Sequence, residues 1–328
     1  MLTVVNKTKK GESYILSSNI DKPFSFLYLT MFYIACNSMT NTNFQKPVPV
    51  IKWAGGKRQL IPQITKMMPE EFNKYYEPFF GGGALFCELT PVSATINDFN
   101  KQLVGMYKQI KADPDGVCAA LFDLQRQYNE KETMEEKDAL YYEFRKSFND
   151  YLANDVDIKY SLPAALLIFL NKAGFNGLYR VNASGMYNVP SAHRKNIKAY
   201  DGDNIIAMSK ALKKTKIMCG DFAKACKNAE AGDFVFFDSP YYDTFDTYQA
   251  SGFSKADHIR LFELFKTLSD KGVYCMMTNN DCDFIKNLYR DFNIKVVDVK
   301  RMINCDGKNR VGKEVIVTNY DVKEVINC

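Results

Sequence analysis

Two histidines, His193 and His258, and nine cysteines without a single C-x-x-C pair are the soft metal ligands that 328 residues provide. Structural zinc sites draw four such ligands at short recurrent spacings, so no metal centre is expected. The odd cysteine count, without a framework pattern, also speaks against a disulfide scaffold. Reduced thiols packed as small hydrophobes are expected instead, and Cys219 and Cys275, in predicted strands, are read as buried. The run Phe24 to Cys36 has thirteen residues, short of the roughly 20 a spanning helix needs. It has the length of a signal-peptide core and a weak lipobox-like end at Ala35-Cys36. The polar stretch Asn37 to Lys46, however, reads as an ordinary amino terminus with Met39 as a start, so residues 1–46 are taken as a disordered or non-native leader. Repeats and low-complexity tracts are missing too. The net charge of +5 excludes a uniformly basic surface, so an anionic partner must meet local clusters. Arg194 with Lys195 and Lys198 forms one, and Lys300, Arg301, Lys308, Arg310 and Lys313 form another.

What is present is an ordinary globular composition, 46% apolar and 25% charged, enough for one large or two modest domains. Leu60, Ile61, Ile64 and Met67 recur at helical spacing and predict a helix over 57–68. Strands are predicted at 75–80, 94–98, 216–219, 233–237 and 273–277, and a final pair without a helix at 294–299 and 314–318. Between 101 and 170 the pattern turns helical, followed by a loop and a hairpin turning at Ala183-Ser184-Gly185. Ser254 and Asp257 stand in capping-box spacing before a helix predicted to bury Ile259, Phe262, Phe265 and Leu268. Strands alternating with helices imply a parallel sheet, and the last pair an antiparallel edge.

Two segments carry chemistry. Glu77-Pro78-Phe79-Phe80-Gly81-Gly82-Gly83 ends one predicted strand, where residues without a Cβ let backbone approach a ligand. Its spacing fails the dinucleotide fingerprint, which wants Gly or Ala where Phe86 stands. Asp98, ending the next strand, sits where an acid accepts ribose hydroxyls. Together they suit a nucleoside cofactor and leave NAD, flavin and S-adenosylmethionine open. Asp238-Ser239-Pro240-Tyr241 ends the apolar run Phe234 to Phe237. A carboxylate and a neighbouring carbonyl can accept both N–H bonds of an exocyclic amine while an aromatic face holds its base. No general base is then required.

These segments, with Lys52-Trp53-Ala54-Gly55-Gly56-Lys57, Asn171 with Phe175 to Asn182, and Tyr187-Asn188-Val189-Pro190, resemble the ordered motifs of Dam-type DNA adenine-N6 methyltransferases. The nearest likeness is to DpnII-type modification enzymes, and it runs from about Pro47 to Tyr320. The resemblance implies an α/β fold: a Rossmann-like S-adenosylmethionine-dependent sheet, residues 47–100 and 199–328, interrupted by a mainly helical DNA-recognition domain, 101–198. It also implies site-specific transfer of a methyl group from S-adenosylmethionine to a flipped adenine in double-stranded DNA, with GATC as the site. By likeness Trp53 and Lys57 help hold the cofactor, Gly81 and Gly83 form its loop, Asp98 takes the ribose and Asp221 contacts its adenine region. Asp238 to Tyr241 hold the target base. Arg180 is the base reader, supported by Lys52, Leu178 and Pro190; Asn176 meets the phosphate backbone, and Arg194 and Arg301 add DNA contacts. A bidentate guanine contact by Arg180 agrees with its planar donor fork.

A cytoplasmic monomer without metal or membrane is implied, with room for a cognate restriction endonuclease at the same site. Ser239 departs from the usual Asp-Pro-Pro-Tyr, which is expected to cost only about 0.4 to 1 kcal/mol of local rigidity. Ser191-Ala192-His193-Arg194 departs from the usual aromatic-Gly-Arg-Tyr. A DNA-binding relative with impaired catalysis and an NAD-dependent oxidoreductase are the alternatives.

Overall fold

The computed structural model describes residues 6–7, 13–14, 45–154, 162–242, 253–300 and 311–322. The chain divides into two compact units, Met1–Phe44 and Gln45–Cys328. In the first, Asn6–Lys7 pairs antiparallel with Ser13–Tyr14, and the apolar run Phe24 to Cys36 lies outside the described residues.

The second unit is built on a seven-stranded sheet. Its strands are β1 (Tyr75–Glu77), β2 (Ala94–Asp98), β3 (Thr215–Cys219), β4 (Phe234–Asp238), β5 (Tyr274–Asn280), β6 (Asn293–Lys300) and β7 (Val311–Thr318). They lie in the order β3-β2-β1-β4-β5-β7-β6. The first five are parallel, and β7 runs antiparallel to both β5 and β6. Phe234 to Phe237 are all buried, as an uninterrupted apolar strand must be when both faces of a parallel sheet are covered. β1 ends at Glu77, short of the predicted Phe80, because Pro78 has no N–H for the ladder.

The order reverses between β1 and β4, which creates the crevice at their carboxyl ends where open α/β sheets take ligands. Both motif loops leave the sheet there. The helices are α1 (Ile61–Met67), α2 (Ala84–Leu89), α3 (Lys101–Ala112), α4 (Pro114–Asn129), α5 (Met134–Asn154), α6 (Leu162–Ala173), α7 (Gly202–Leu212), α8 (Phe222–Ala225), α9 (Lys255–Asp270) and α10 (Asp283–Leu288). α6 is apolar on every side and almost wholly buried, the state expected of such a helix, packed among α3, α4 and α5. α3 also packs on β2 and β3, although it lies within the span expected to form the recognition domain.

Two expectations are corrected. In α9, Ile259 is 42% exposed, whereas His258, Leu261, Phe265 and Leu268 are buried. The buried stripe thus steps by three and four residues from His258, and Ile259 falls about 100° away from it. Cys219 is exposed, because it ends β3, an edge strand with a neighbour on one side only; Cys275, in interior β5, is buried as expected. The predicted hairpin is held by one bridge, Val181 to Tyr187. The Asn182 carboxamide oxygen accepts from the Ser184 and Met186 amides at 3.0 Å each, and Gly185 takes φ 77°. Among the described residues no helix is long and apolar enough to cross a membrane.

Candidate active site

The glycine loop is shaped by its own side chains. Gly81 (φ 50°) and Gly83 (φ 65°) occupy left-handed backbone, where a Cβ is disfavoured. A Cβ on Gly81 would stand 2.9 Å from Trp53 Cδ1, and one on Gly83 would stand 2.4 Å from Phe80 Cζ. Asp98 holds this loop: its Oδ2 accepts from the Gly81 amide at 2.8 Å and its Oδ1 from the Asn100 amide at 2.9 Å. The neighbouring Asn97 carboxamide donates to the Pro78 and Gly220 carbonyls, both at 2.9 Å, and the Tyr107 hydroxyl to the Gly81 carbonyl at 3.1 Å. Burial pushes the Asp98 carboxyl above its ordinary range, opposed by the amides it accepts from. Burial likewise raises Glu77 well above that range, opposed by the Tyr75 hydroxyl 2.8 Å away.

The second loop leaves β4 beside the first. Asp238 Oδ1 pairs with Lys57 Nζ at 2.6 Å and accepts from the Thr278 hydroxyl at 2.8 Å. Lys57, 5% exposed, also donates to the Gly55 carbonyl at 2.9 Å and stands 4.7 Å from the centre of the Tyr241 ring. The cofactor-side lysine and the amine-binding acid, assigned separately in the sequence, are therefore one ion pair. Both of these contacts fall on Oδ1. Asp221, expected near the cofactor's adenine region, caps α8 through its Oδ1 on the Ala223 amide at 2.9 Å, and its Oδ2 meets Arg260 at 2.6 Å. The Arg260 guanidinium lies 4.4 Å from the centre of the Phe222 ring.

A third group surrounds the hairpin. Arg180 is exposed. It donates through Nε to the Asn188 carboxamide at 2.8 Å and through Nη2 to the Asn188 carbonyl at 3.2 Å. Of its five N–H groups, three are left over by these bonds, two of them side by side on the Nη1–Nη2 edge. Asn176 is exposed with φ 54°, beside the half-exposed Phe175 ring. Asn171, 1% exposed, binds both the amide and the carbonyl of Lys52, at 2.8 and 2.9 Å, and the Gly177 carbonyl at 2.7 Å. It thereby ties the Trp53 segment to the Asn176 turn. Leu178 is half-buried. Exposed Pro190 accepts at its carbonyl from the Phe175 amide at 2.9 Å, and exposed Arg194 at its carbonyl from the Tyr128 hydroxyl at 2.9 Å. Arg301 lies outside the described residues.

The described family of D12 class N6 adenine-specific DNA methyltransferases matches residues 53–303, more than half of the chain. The chain belongs to this family. This methyltransferase is 42% identical over 282 residues to "Type II methyltransferase M1.LlaDCHI" of Lactococcus lactis subsp. cremoris, covering 83% of this chain and 95% of the relative. It is 38% identical to "Type II methyltransferase M.MjaIII" of Methanocaldococcus jannaschii, covering 83% and 99% respectively. A "DNA adenine methylase" of Vibrio cholerae is 27% identical, with 79% of this chain and 91% of the relative covered. The family methylates with S-adenosyl-L-methionine. The loop suits that group: Cβ atoms at Gly55 and Gly220 would meet only open space, and Gly81 and Gly83 keep the backbone of the loop free of side chains. Among the described residues no group of three or more His, Cys, Asp or Glu could hold a metal ion.

Several side chains that touch these loops were not singled out in the sequence: Asn97, Tyr107, Arg260, Thr278, Asn279 and Asn280. One signal was available. Both Asn97-Asp98 and Thr278-Asn279-Asn280 put small polar residues at the end of an otherwise apolar strand, where side chains reach the loop of the neighbouring strand.

Proposed function

We propose that the chain methylates N6 of adenine at a specific duplex site, with GATC as the site, on a base turned out of the helix. One observation carries this reading: Asp238, the Ser239 carbonyl and Tyr241 stand at the switch point of the sheet, beside the glycine loop, with Asp238 held by Lys57 and Thr278. Adenine inside a duplex cannot reach a crevice of this kind, and unstacking costs a few kcal/mol that stacking on an aromatic face offsets. Tyr241 supplies that face. The amine lone pair is delocalised into the ring; acceptance of its two N–H bonds by Asp238 Oδ2 and the Ser239 carbonyl favours the pyramidal, nucleophilic form.

When bound, S-adenosylmethionine supplies an electrophilic methyl group on a sulfonium. Trp53, Gly81, Gly83 and Asp98 form its cradle, and Asp98 fixes the loop as well as facing the ribose. Lys57 and Thr278 hold the Asp238 carboxylate through Oδ1, which orients it while the amine approaches. Arg180 reads a guanine through its free edge, with Asn188 holding the guanidinium in plane; Asn176, Lys52, Leu178, Pro190 and Arg194 frame the duplex around it. Residues 101–198, largely helical, form the recognition part, with α3 also packed on β2 and β3. Expression in a host without adenine methylation, followed by genome-wide mapping of methyladenine, tests the reading. N6-methyladenine confined to GATC is expected; methylation at another motif would replace the site, and none at all would remove the activity.

A further inference from the structure

Asn279 lies in β5 between β4 and β7, 0% exposed, and all four hydrogen-bonding positions of its carboxamide are used. Nδ2 donates to the Ser239 hydroxyl at 3.1 Å and to the Pro240 carbonyl at 3.3 Å. Oδ1 accepts from the Tyr242 amide at 3.1 Å and from the Asn280 amide at 3.0 Å. Asn280 closes the same bracket, its Oδ1 accepting from the Tyr242 amide and its Nδ2 donating to the Tyr242 carbonyl, both at 3.1 Å. Three consecutive polar residues of β5, beginning with Thr278 on Asp238, thus hold Asp238, Ser239, Pro240 and Tyr242 of this loop.

We propose that Asn279 is a positioning residue for methyl transfer, and that Ser239 and Asn279 are a matched pair in which a buried hydrogen bond replaces the rigidity of the proline usual at position 239. This rests on reading Asp238 to Tyr241 as the amine-binding loop. Ser239 is 2% exposed and its hydroxyl accepts an N–H from the fully buried Asn279. A proline there would present only carbon and would leave that donor orphaned, a buried unsatisfied group whose cost exceeds the gain from a stiffer loop. The carbonyl that must accept the adenine amine belongs to Ser239, so the two bonds on either side of its peptide, at the Ser239 hydroxyl and the Pro240 carbonyl, set its direction. Ser239→Pro is therefore expected to lower activity even though it stiffens the loop.

The test is a double-mutant cycle on the full chain with Ser239→Ala, Asn279→Asp and the pair, reading kcat and KM for cognate DNA together with cofactor affinity. Each single change is expected to lower kcat about tenfold, the effect of one hydrogen bond on a barrier, with KM and cofactor affinity within about threefold. The pair is expected to lose little more than the worse single change. Ser239→Pro should also lose about tenfold in kcat, and Ser239→Thr should recover turnover relative to Ser239→Ala. Wild-type kcat in Ser239→Ala and Ser239→Pro, or losses that multiply in the pair, would overturn the matched pair. If Asn279→Asp does not fold, the Thr against Ala comparison at position 239 decides, and equal turnover in the two counts against the proposal. Asp238→Asn is run alongside: undiminished turnover there would sink the loop assignment itself, whereas its loss with unaffected Ser239 variants would sink only the pair.

Discussion

At the scale of single residues, the Lys57–Asp238 pair joins chemistry to stability. Removing Asp238 leaves a lysine 5% exposed without its counter-ion, which costs on the order of 3 kcal/mol. Asp238→Ala is therefore expected both to abolish methyl transfer and to lower the unfolding free energy by that amount. Asp238→Ala with Lys57→Met should regain much of the stability and none of the turnover. Denaturant titration beside a methyl-transfer assay checks this, and recovered turnover in the double variant would show that neither group acts on the amine. Arg180→Ala is expected to relax discrimination at one base position by roughly 1 to 3 kcal/mol. Affinities for the cognate duplex and single-substituted duplexes decide the matter: an equal loss on all of them would make Arg180 a phosphate contact. Both side chains could be named from the sequence because their motifs are local. Their pairings, Asp238 with Thr278 and Arg180 with Asn188, emerged only once the fold had placed them.

Among the elements, the ends of β2 and β5 do equivalent work. Asn97 and Asp98 hold the glycine loop of β1, and Thr278, Asn279 and Asn280 hold the loop of β4. A loop held by a neighbouring strand is pre-organised before ligand arrives, which lowers the ordering cost of binding. α9 contributes differently. Its capping box at Ser254 and Asp257 is formed as the spacing predicts, yet its buried face carries His258, packed near Tyr242, Phe253 and Phe284. Burial lowers the His258 pKa from 6.5 to about 4, against the pull of Asp257. The unfolded chain therefore takes up this proton first. The stabilisation from neutral His258 is fully present above pH 6.5 and is lost as pH falls through about 4. His258→Leu should flatten this acid-side loss, measured as unfolding free energy at pH 7 and pH 5; an unchanged slope would assign the loss to other groups. The helical period predicted α9, but not which way it faces, since Ile259 and His258 are adjacent and only packing against the sheet chose between them.

For the molecule as a whole, the unit Gln45–Cys328 holds the entire seven-stranded sheet and both motif loops. A chain started at Met39 is accordingly expected to be soluble and to retain turnover, checked by yield and methyl-transfer rate against the full chain. Insolubility of the shortened chain alone would mean that the leader contributes to folding. The class of sheet, its antiparallel edge, the hairpin turn and the positions of the two motif loops at strand ends were all legible in the amino-acid order. Each depends on local rules: strand period, proline and glycine at fixed offsets, a capping box. The motifs also named the family. What the order of residues could not supply was contact between distant segments, such as Lys57 with Asp238, Asn171 with Lys52, and Asn279 with Ser239. Side chains far apart in sequence meet only after the sheet order β3-β2-β1-β4-β5-β7-β6 is set, and burial then requires every polar group among them to find a partner. The sequence by itself determined which chemistry the chain carries; the tertiary structure decided which side chains aim it, because orientation at a buried site is a matter of neighbours brought together by the fold.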